Sequence, residues 1–165
     1  HLYYEFAFWK PFKAMSVSER VQRIEEEFRT PRWRMHDNYQ TYRLAGISNN
    51  PPLTNLTREQ EALYLEMAWT NLVNRTVFFG ITDDWRRSVC VFWRSIASVP
   101  VDGVDFNSRG GIAQTHDDSD RSYAETHDVS FLLDVQQANR LDMILYQRAV
   151  AHLGRRAKRL GCSSV

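Results

Sequence analysis

One short run limits the fold of this chain more than any other segment. Val77-Phe78-Phe79-Gly80-Ile81 is continuous, β-branched and aromatic. That is the pattern of a strand buried on both faces, as in a parallel sheet. The periodic segments around it are patterned as helices. A single strand has no partner for its backbone N–H and C=O groups, and buried backbone groups must be paired. The 165 residues point to one domain. An α/β domain with several strands needs more chain than the helices leave over, so the partner strands are missing.

The helices announce themselves by caps and spacing. Ser16-Val17-Ser18-Glu19 has capping-box spacing. Val17, Val21, Ile24 and Phe28 follow at helical intervals, which predicts a helix from about Val17 to Phe28, closed by Thr30-Pro31. Thr57-Arg58-Glu59-Gln60 is a second capping box. It opens a helix to about Val73, with Leu63, Met67 and Thr70 on one side and Leu65, Ala68, Trp69 and Leu72 beside them. So wide an apolar arc predicts a helix sandwiched between other elements. After the strand, Thr82 is placed to cap a helix whose first turn holds Asp83 and Asp84. Trp85, Val89, Phe92, Ile96 and Val99 form its stripe, and Pro100 ends it. A last helical region runs from about Val129 to Arg159, with a bend near Asn139, after which Leu141, Ile144, Leu145 and Ala149 rebuild the apolar face.

The remaining segments are less regular. His1 to Trp9 is densely aromatic and reads as a buried helix or strand. Pro31 to Pro52 is mixed and polar, with loop signals at Gly46 and Asn49-Asn50-Pro51-Pro52. Asp102 to Asp128 is polar, contains glycine and has no periodicity. A loop that long inside a domain is often functional.

Composition excludes several classes. Lys plus Arg is 21 and Asp plus Glu 20, a net charge of +1, which argues against a dedicated nucleic-acid binder. Hydrophobic residues make up 43%, enough for a core. Two cysteines, Cys90 and Cys162, do not make a disulfide scaffold; one bridge between them is open. No apolar run approaches the roughly 20 residues that span a bilayer, and no signal peptide is visible.

Four segments together resemble a known family. Val77-Phe78-Phe79-Gly80-Ile81-Thr82-Asp83-Asp84-Trp85 is similar to the strand-to-helix signature of Golgi-type carbohydrate sulfotransferases, with Asp83 where Glu is usual. This group contains the heparan sulfate 2-O-sulfotransferases and galactose 3-O-sulfotransferases. Ala68-Trp69-Thr70-Asn71-Leu72 resembles the family's A-x-x-N-L helix. Asn38-Tyr39-Gln40-Thr41-Tyr42-Arg43-Leu44-Ala45-Gly46 resembles its N-x-Q-T-x-x-L-x-G segment. Asn139-Arg140-Leu141-Asp142-Met143-Ile144-Leu145-Tyr146 resembles its closing N-x-x-D-x-x-L-Y helix. The order is that of the family.

The resemblance implies a P-loop-like α/β fold, of which residues 1–165 would be one partial, mostly helical C-terminal domain with at least one buried parallel strand near 76–81. It implies transfer of a sulfuryl group from 3′-phosphoadenosine 5′-phosphosulfate to a carbohydrate hydroxyl, in line and without a covalent enzyme intermediate. No metal is expected in such an active site. The family holds the donor by a Lys-Gly loop and an R-x-P-x-x-R-x-x-S stretch. This sequence has neither; Thr30-Pro31-Arg32-Trp33-Arg34 has the wrong order. Leu2-Tyr3-Tyr4 looks like the start of the Tyr-rich helix that follows that stretch. With His1 in place of Met, the expectation is a truncated enzyme whose donor loop and catalytic base lie upstream, and which is inactive alone. The resemblance also implies a Golgi-lumen enzyme, attached in full length by an N-terminal membrane anchor.

Within the chain, Asn107-Ser108-Arg109-Gly110-Gly111 is the candidate for donor contact. Glycines let the backbone approach an anion, Arg109 supplies charge and Ser108 a hydroxyl. In the resembling enzymes the corresponding loop closes over the nucleotide; an ordinary turn is the competing account. No catalytic residue is assigned, since His1, His36, His116, His127 and His152 lie in no motif that marks a base. His116, Asp117, Asp118, Asp120, His127 and Asp128 match no metal spacing and read as a solvated acidic loop. Asp83-Asp84 reads as a helix start rather than an acid/base pair. Cys90 reads as packing. Arg155, Arg156, Lys158 and Arg159 complement a helix C-terminus and could also attract an anionic glycan or nucleic acid. Asn55-Leu56-Thr57 and Asn74-Arg75-Thr76 are glycosylation sequons for a secretory compartment. The expected partner is a glycan acceptor, not a nucleic acid. The competing function is a noncatalytic helical interaction module on the same scaffold.

Overall fold

The computed structural model describes residues 15–30, 37–47, 55–97 and 128–162. Those residues are mostly helical, and none of them forms a strand. The helices are α1 (Val17–Phe28), α2 (Tyr39–Ala45), α3 (Arg58–Asn74), α4 (Trp85–Phe92), α5 (Val129–Ala138) and α6 (Arg140–Arg159). A 3-10 turn, Thr82–Asp84, leads into α4, and a π-helical turn, Trp93–Ala97, continues it. The chain divides into two compact units.

In the first unit, α1 starts where the capping box places it. The Glu19 N–H donates to Ser16 Oγ at 3.3 Å, and the Ser16 N–H donates to Glu19 Oε2 at 2.7 Å. Two orphan donors of the first turn are thereby satisfied. An Arg23–Glu27 pair at 2.7 Å ties one turn to the next. Ile24 is fully buried with Phe131 of α5, and Phe28 meets Phe131 edge to face at 5.3 Å. Asp128 caps α5, accepting from the Ser130 N–H and hydroxyl.

The second unit holds a larger core. Leu65, Ala68 and Leu72 of α3 join Cys90 and Val91 of α4 and Leu145, Ala149, Leu153 and Ala157 of α6. The spacings of three and four residues put each set on one helix face. α3 starts at its capping box: the Thr57 N–H donates to Gln60 Oε1, and the Gln60 N–H to Thr57 Oγ1. Cys90 and Cys162 form a disulfide with Cα atoms 6.0 Å apart. It ties α4 to the segment just past α6.

Several expectations are corrected here. Residues 76–81 do not form a strand buried on both faces: Val77 is 79% exposed, Phe78 and Phe79 pack half-buried against the core, and Ile81 is buried in it. With no ladder partner among the described residues, Ile81 finds a side chain instead. Ser88 Oγ accepts from the Ile81 N–H at 2.8 Å and donates to its carbonyl at 3.0 Å. Thr82 does not cap the next helix; Asp84 precedes α4 and makes no side-chain cap bond. Trp85, Val89, Phe92 and Ile96 are not the buried stripe, because Trp85 and Ile96 are exposed and Ser88, Cys90 and Val91 face the core. The disulfide and the Ser88 bonds fix that rotation of the helix. In α3 the buried arc is narrower than its composition suggests, with Leu63 and Thr70 exposed. α2 forms where the sequence reads as polar loop, closed by Gly46 at φ +78°. The break at Asn139 occurs as expected, between α5 and α6.

Candidate functional site

The four segments that resemble sulfotransferase motifs are joined by hydrogen bonds between their own residues. Asp142 of α6 receives three bonds from the start of α2. Its Oδ1 accepts from the Thr41 N–H at 2.7 Å and hydroxyl at 2.6 Å, and its Oδ2 accepts from the Gln40 N–H at 3.0 Å. These are orphan donors of a helix N-terminus, and a carboxylate there also meets the positive end of the helix dipole. Asn71 of α3 donates its side-chain amide to the Leu44 carbonyl at the end of α2, at 2.8 Å. Tyr146 of α6 donates to Asp83 Oδ2 at 2.6 Å. That bond pushes the Tyr146 phenol above its usual range, because ionising it would set two negative oxygens together.

Gly80 has a steric reason. A Cβ there would lie 3.1 Å from the Ser88 Cβ, so a side chain would crowd the residue that satisfies Ile81. Asp83 and Asp84 act separately: Asp83 accepts from Tyr146, and Asp84 pairs with Arg87 at 2.8 Å. The arrangement therefore orients backbone and helices. It offers none of these carboxylates as a shared-proton pair.

The candidate donor-contact residues Ser108, Arg109, Gly110 and Gly111 lie outside the described residues, as do His1, His36, His116 and His127. Of the sequon asparagines, Asn55 is exposed at φ +60° just before the α3 cap, and Asn74 is exposed in the last residue of α3. The hydroxyl of each sequon threonine is already engaged. Thr57 Oγ1 caps α3, and Thr76 Oγ1 donates to the Leu72 carbonyl.

His152 occupies a partly buried site that its sequence context did not reveal. Its ring meets Trp69 at 5.7 Å and Phe79 at 5.6 Å. Burial, and then the nearby cations Arg155, Arg156 and Arg159, lower its pKa. Arg148, one turn earlier on α6, pairs with Glu66. The only early signal was the four-residue step from Arg148 to His152 on a helix read as amphipathic. Among the described residues no cluster of His, Cys, Asp or Glu is arranged to hold a metal. No described helix is long and apolar enough to cross a membrane.

The sequence matches no protein-family profile, no curated protein and no solved structure.

Proposed function

We propose that this chain supplies the helical C-terminal part of a carbohydrate sulfotransferase. Such an enzyme moves a sulfuryl group from 3′-phosphoadenosine 5′-phosphosulfate to a sugar hydroxyl. The observation that supports the reading is the meeting of motif residues distant in sequence: Thr41 with Asp142, Asn71 with Leu44, and Asp83 with Tyr146. Residues in motif positions that bond to one another have a shared structural task, namely to fix the frame on which a donor site is built. On this reading, residues 76–81 complete a parallel sheet whose other strands lie in the rest of a P-loop-like domain. The exposed Val77 edge would be covered there.

The chemistry needs a base for the acceptor hydroxyl, and cations or N–H groups around the transferred oxygens. The chain's own contribution is Ser108, Arg109, Gly110 and Gly111 as donor contacts. The Lys-Gly loop, the 3′-phosphate site and the base belong to the remainder of the enzyme. The disulfide supports a lumenal, oxidising compartment such as the Golgi, where the sequons at Asn55 and Asn74 are usable.

The test uses the product of the whole gene. Adding 3′-phosphoadenosine 5′-phosphate should raise its melting temperature by mass action, and labelled donor should transfer sulfate to a desulfated polysaccharide. Arg109→Ala should reduce both. Absence of a melting shift together with absence of transfer ends this reading. It would leave the noncatalytic interaction module, which the mutual engagement of Thr41, Asn71, Asp83, Asp142 and Tyr146 also supports.

A further inference from the structure

α4 and the π-helical turn that continues it pack by their less apolar side. Ser88, Val91 and Ser95 follow one another at three and four residues, which sets them on one face. Ser88 and Val91 are buried there, and so is the Ser95 hydroxyl oxygen. Trp85, Val89, Phe92 and Ile96, at four, three and four residues, share another face. Trp85 is 53% exposed and Ile96 43%, while Val89 and Phe92 are half-buried. Trp93, beside them, is 41% exposed. Burial ordinarily goes to the more apolar face of a helix.

The inverted setting has visible costs. Two tryptophans and an isoleucine face water. Ser95 Oγ is buried with no hydrogen-bond partner among the described residues, and a buried hydroxyl left unpaired is destabilising. The turn that holds it, Trp93–Ala97, is π-helical, a rare form that often marks a functional site. Two devices hold the setting against these costs. Ser88 Oγ bonds to both backbone groups of Ile81. The other device is the Cys90–Cys162 disulfide. After α6, Gly161 at φ +70° turns the chain, and the Cys162 N–H donates to the Ala157 carbonyl at 2.8 Å. That cap brings Cys162 back to Cys90.

We propose that the Cys90–Cys162 bridge is a redox switch that selects which face of α4 packs on the core. A dithiol reductant attacks one sulfur of the bridge as a thiolate, and the S–S bond breaks to give a mixed disulfide. The second thiolate of the reductant closes on the first and releases the other cysteine. The reductant leaves as a cyclic disulfide, and two electrons and two protons have passed to Cys90 and Cys162, now thiols. Both cysteines are buried, so the cap at Gly161 opens before the attack. With Cys90 released, α4 docks again by its Trp85–Ile96 face. Trp93 is withdrawn with that face, and the Ser95 hydroxyl reaches water. The oxidised chain displays an apolar helix face that the reduced chain hides. The switch involves only the second unit and stands whether or not the chain belongs to an enzyme.

The test treats the full chain with dithiothreitol, and alkylation followed by mass spectrometry verifies that both thiols are free. Hydroxyl-radical footprinting then reads each tryptophan in the two forms. Trp85 and Trp93 should react several-fold more slowly in the reduced chain, with the helical circular dichroism retained. Trp85 and Trp93 as reactive after reduction as before, or more reactive, would overturn the proposal; the second result means that the helix comes loose rather than docking again. A variant separates re-docking from general tightening. Trp85→Gln with Ile96→Gln changes two side chains that are exposed in the oxidised chain, so its oxidised melting temperature should stay close to that of the parent. In the reduced chain the same pair faces the core, and the melting temperature should fall by several degrees below that of the reduced parent. Equal changes in the two redox forms would overturn the switch.

Discussion

The two units of the chain are held by different kinds of interaction. In the first, Ile24 and Phe131 make a small apolar contact, and the bonds of Ser16 with Glu19, Arg23 with Glu27 and Asp128 with Ser130 join residues within four positions of each other. The second has a core drawn from α3, α4 and α6 and polar bonds that cross long stretches of sequence. Thr41 and Asp142 are 101 residues apart, Asp83 and Tyr146 63, and the disulfide spans 72. Caps and i,i+4 pairs decide where helices begin and hold. They do not decide which helices meet. In the second unit that decision lies with side chains such as Asp142, Asn71 and Cys90.

The largest difference should appear on removing the disulfide. Closing a loop of 72 residues lowers the entropy of the unfolded chain, worth about 4 kcal/mol in the chain-entropy model. Both cysteines are buried, so Cys90→Ala with Cys162→Ala also trims the core. Hydrogen exchange should show lost protection in α3, α4 and α6, while α1 and α5 keep theirs. Equal loss in all of these helices would show that the two units unfold as one.

Phe131→Ala makes the reverse cut. Phe131 is buried against Ile24 and Phe28, and truncating a buried Phe costs about 3 kcal/mol or more. Protection should fall in α1 and α5 and persist in α3 and α6. Asp142→Ala comes next. It strands the part-buried N–H and hydroxyl of Thr41 at the start of α2 and leaves the exposed Gln40 N–H to water. Leaving part-buried donors without acceptors costs about 2 kcal/mol, read as a lower denaturation midpoint with an unchanged slope. Asp142→Asn should recover part of the loss, since the amide keeps one acceptor oxygen.

Legibility in the sequence follows the same division. The starts of α1 and α3 were readable because Ser16–Glu19 and Thr57–Gln60 carry their signal within four residues. The break at Asn139 is readable from a different signal, the apolar face that Leu141, Ile144, Leu145 and Ala149 rebuild after it. The rotation of α4 was not. Its apolar spacing pointed to Trp85, Phe92 and Ile96, whereas the core takes Ser88, Cys90 and Val91. Cys162, 72 residues away, pins Cys90, and Ser88 is held by backbone groups of Ile81. Neither constraint leaves a periodic trace. Residues 76–81 pair with no strand among the described residues for a related reason: a β-branched run describes what can pair, not whether a partner is there. The motif segments were legible as a resemblance. That their residues bond to one another was not, because Asp142 shows nothing in its own neighbourhood to indicate Thr41.

The smallest expected effect is a pH dependence confined to the second unit. His152 sits beside Trp69 and Phe79 with Arg155, Arg156 and Arg159 nearby, and burial followed by these cations lowers its pKa below the ordinary 6.5. The folded chain thus resists protonation there, while the unfolded chain accepts the proton near the ordinary value. Stability from this group is fully present above the unfolded value and is lost as pH falls through the folded one. Glu19 and Asp128 in the first unit have carboxyls lowered by bonds from Ser16 and Ser130. Their contribution is lost only below the ordinary carboxylate range, at lower pH than that of His152. Thermal melting between pH 7.5 and 5.5 should therefore show a modest decline that His152→Gln flattens, while Asp128→Asn leaves it unchanged. A decline equally steep in His152→Gln would mean that another group carries the acid sensitivity of the α3–α6 core.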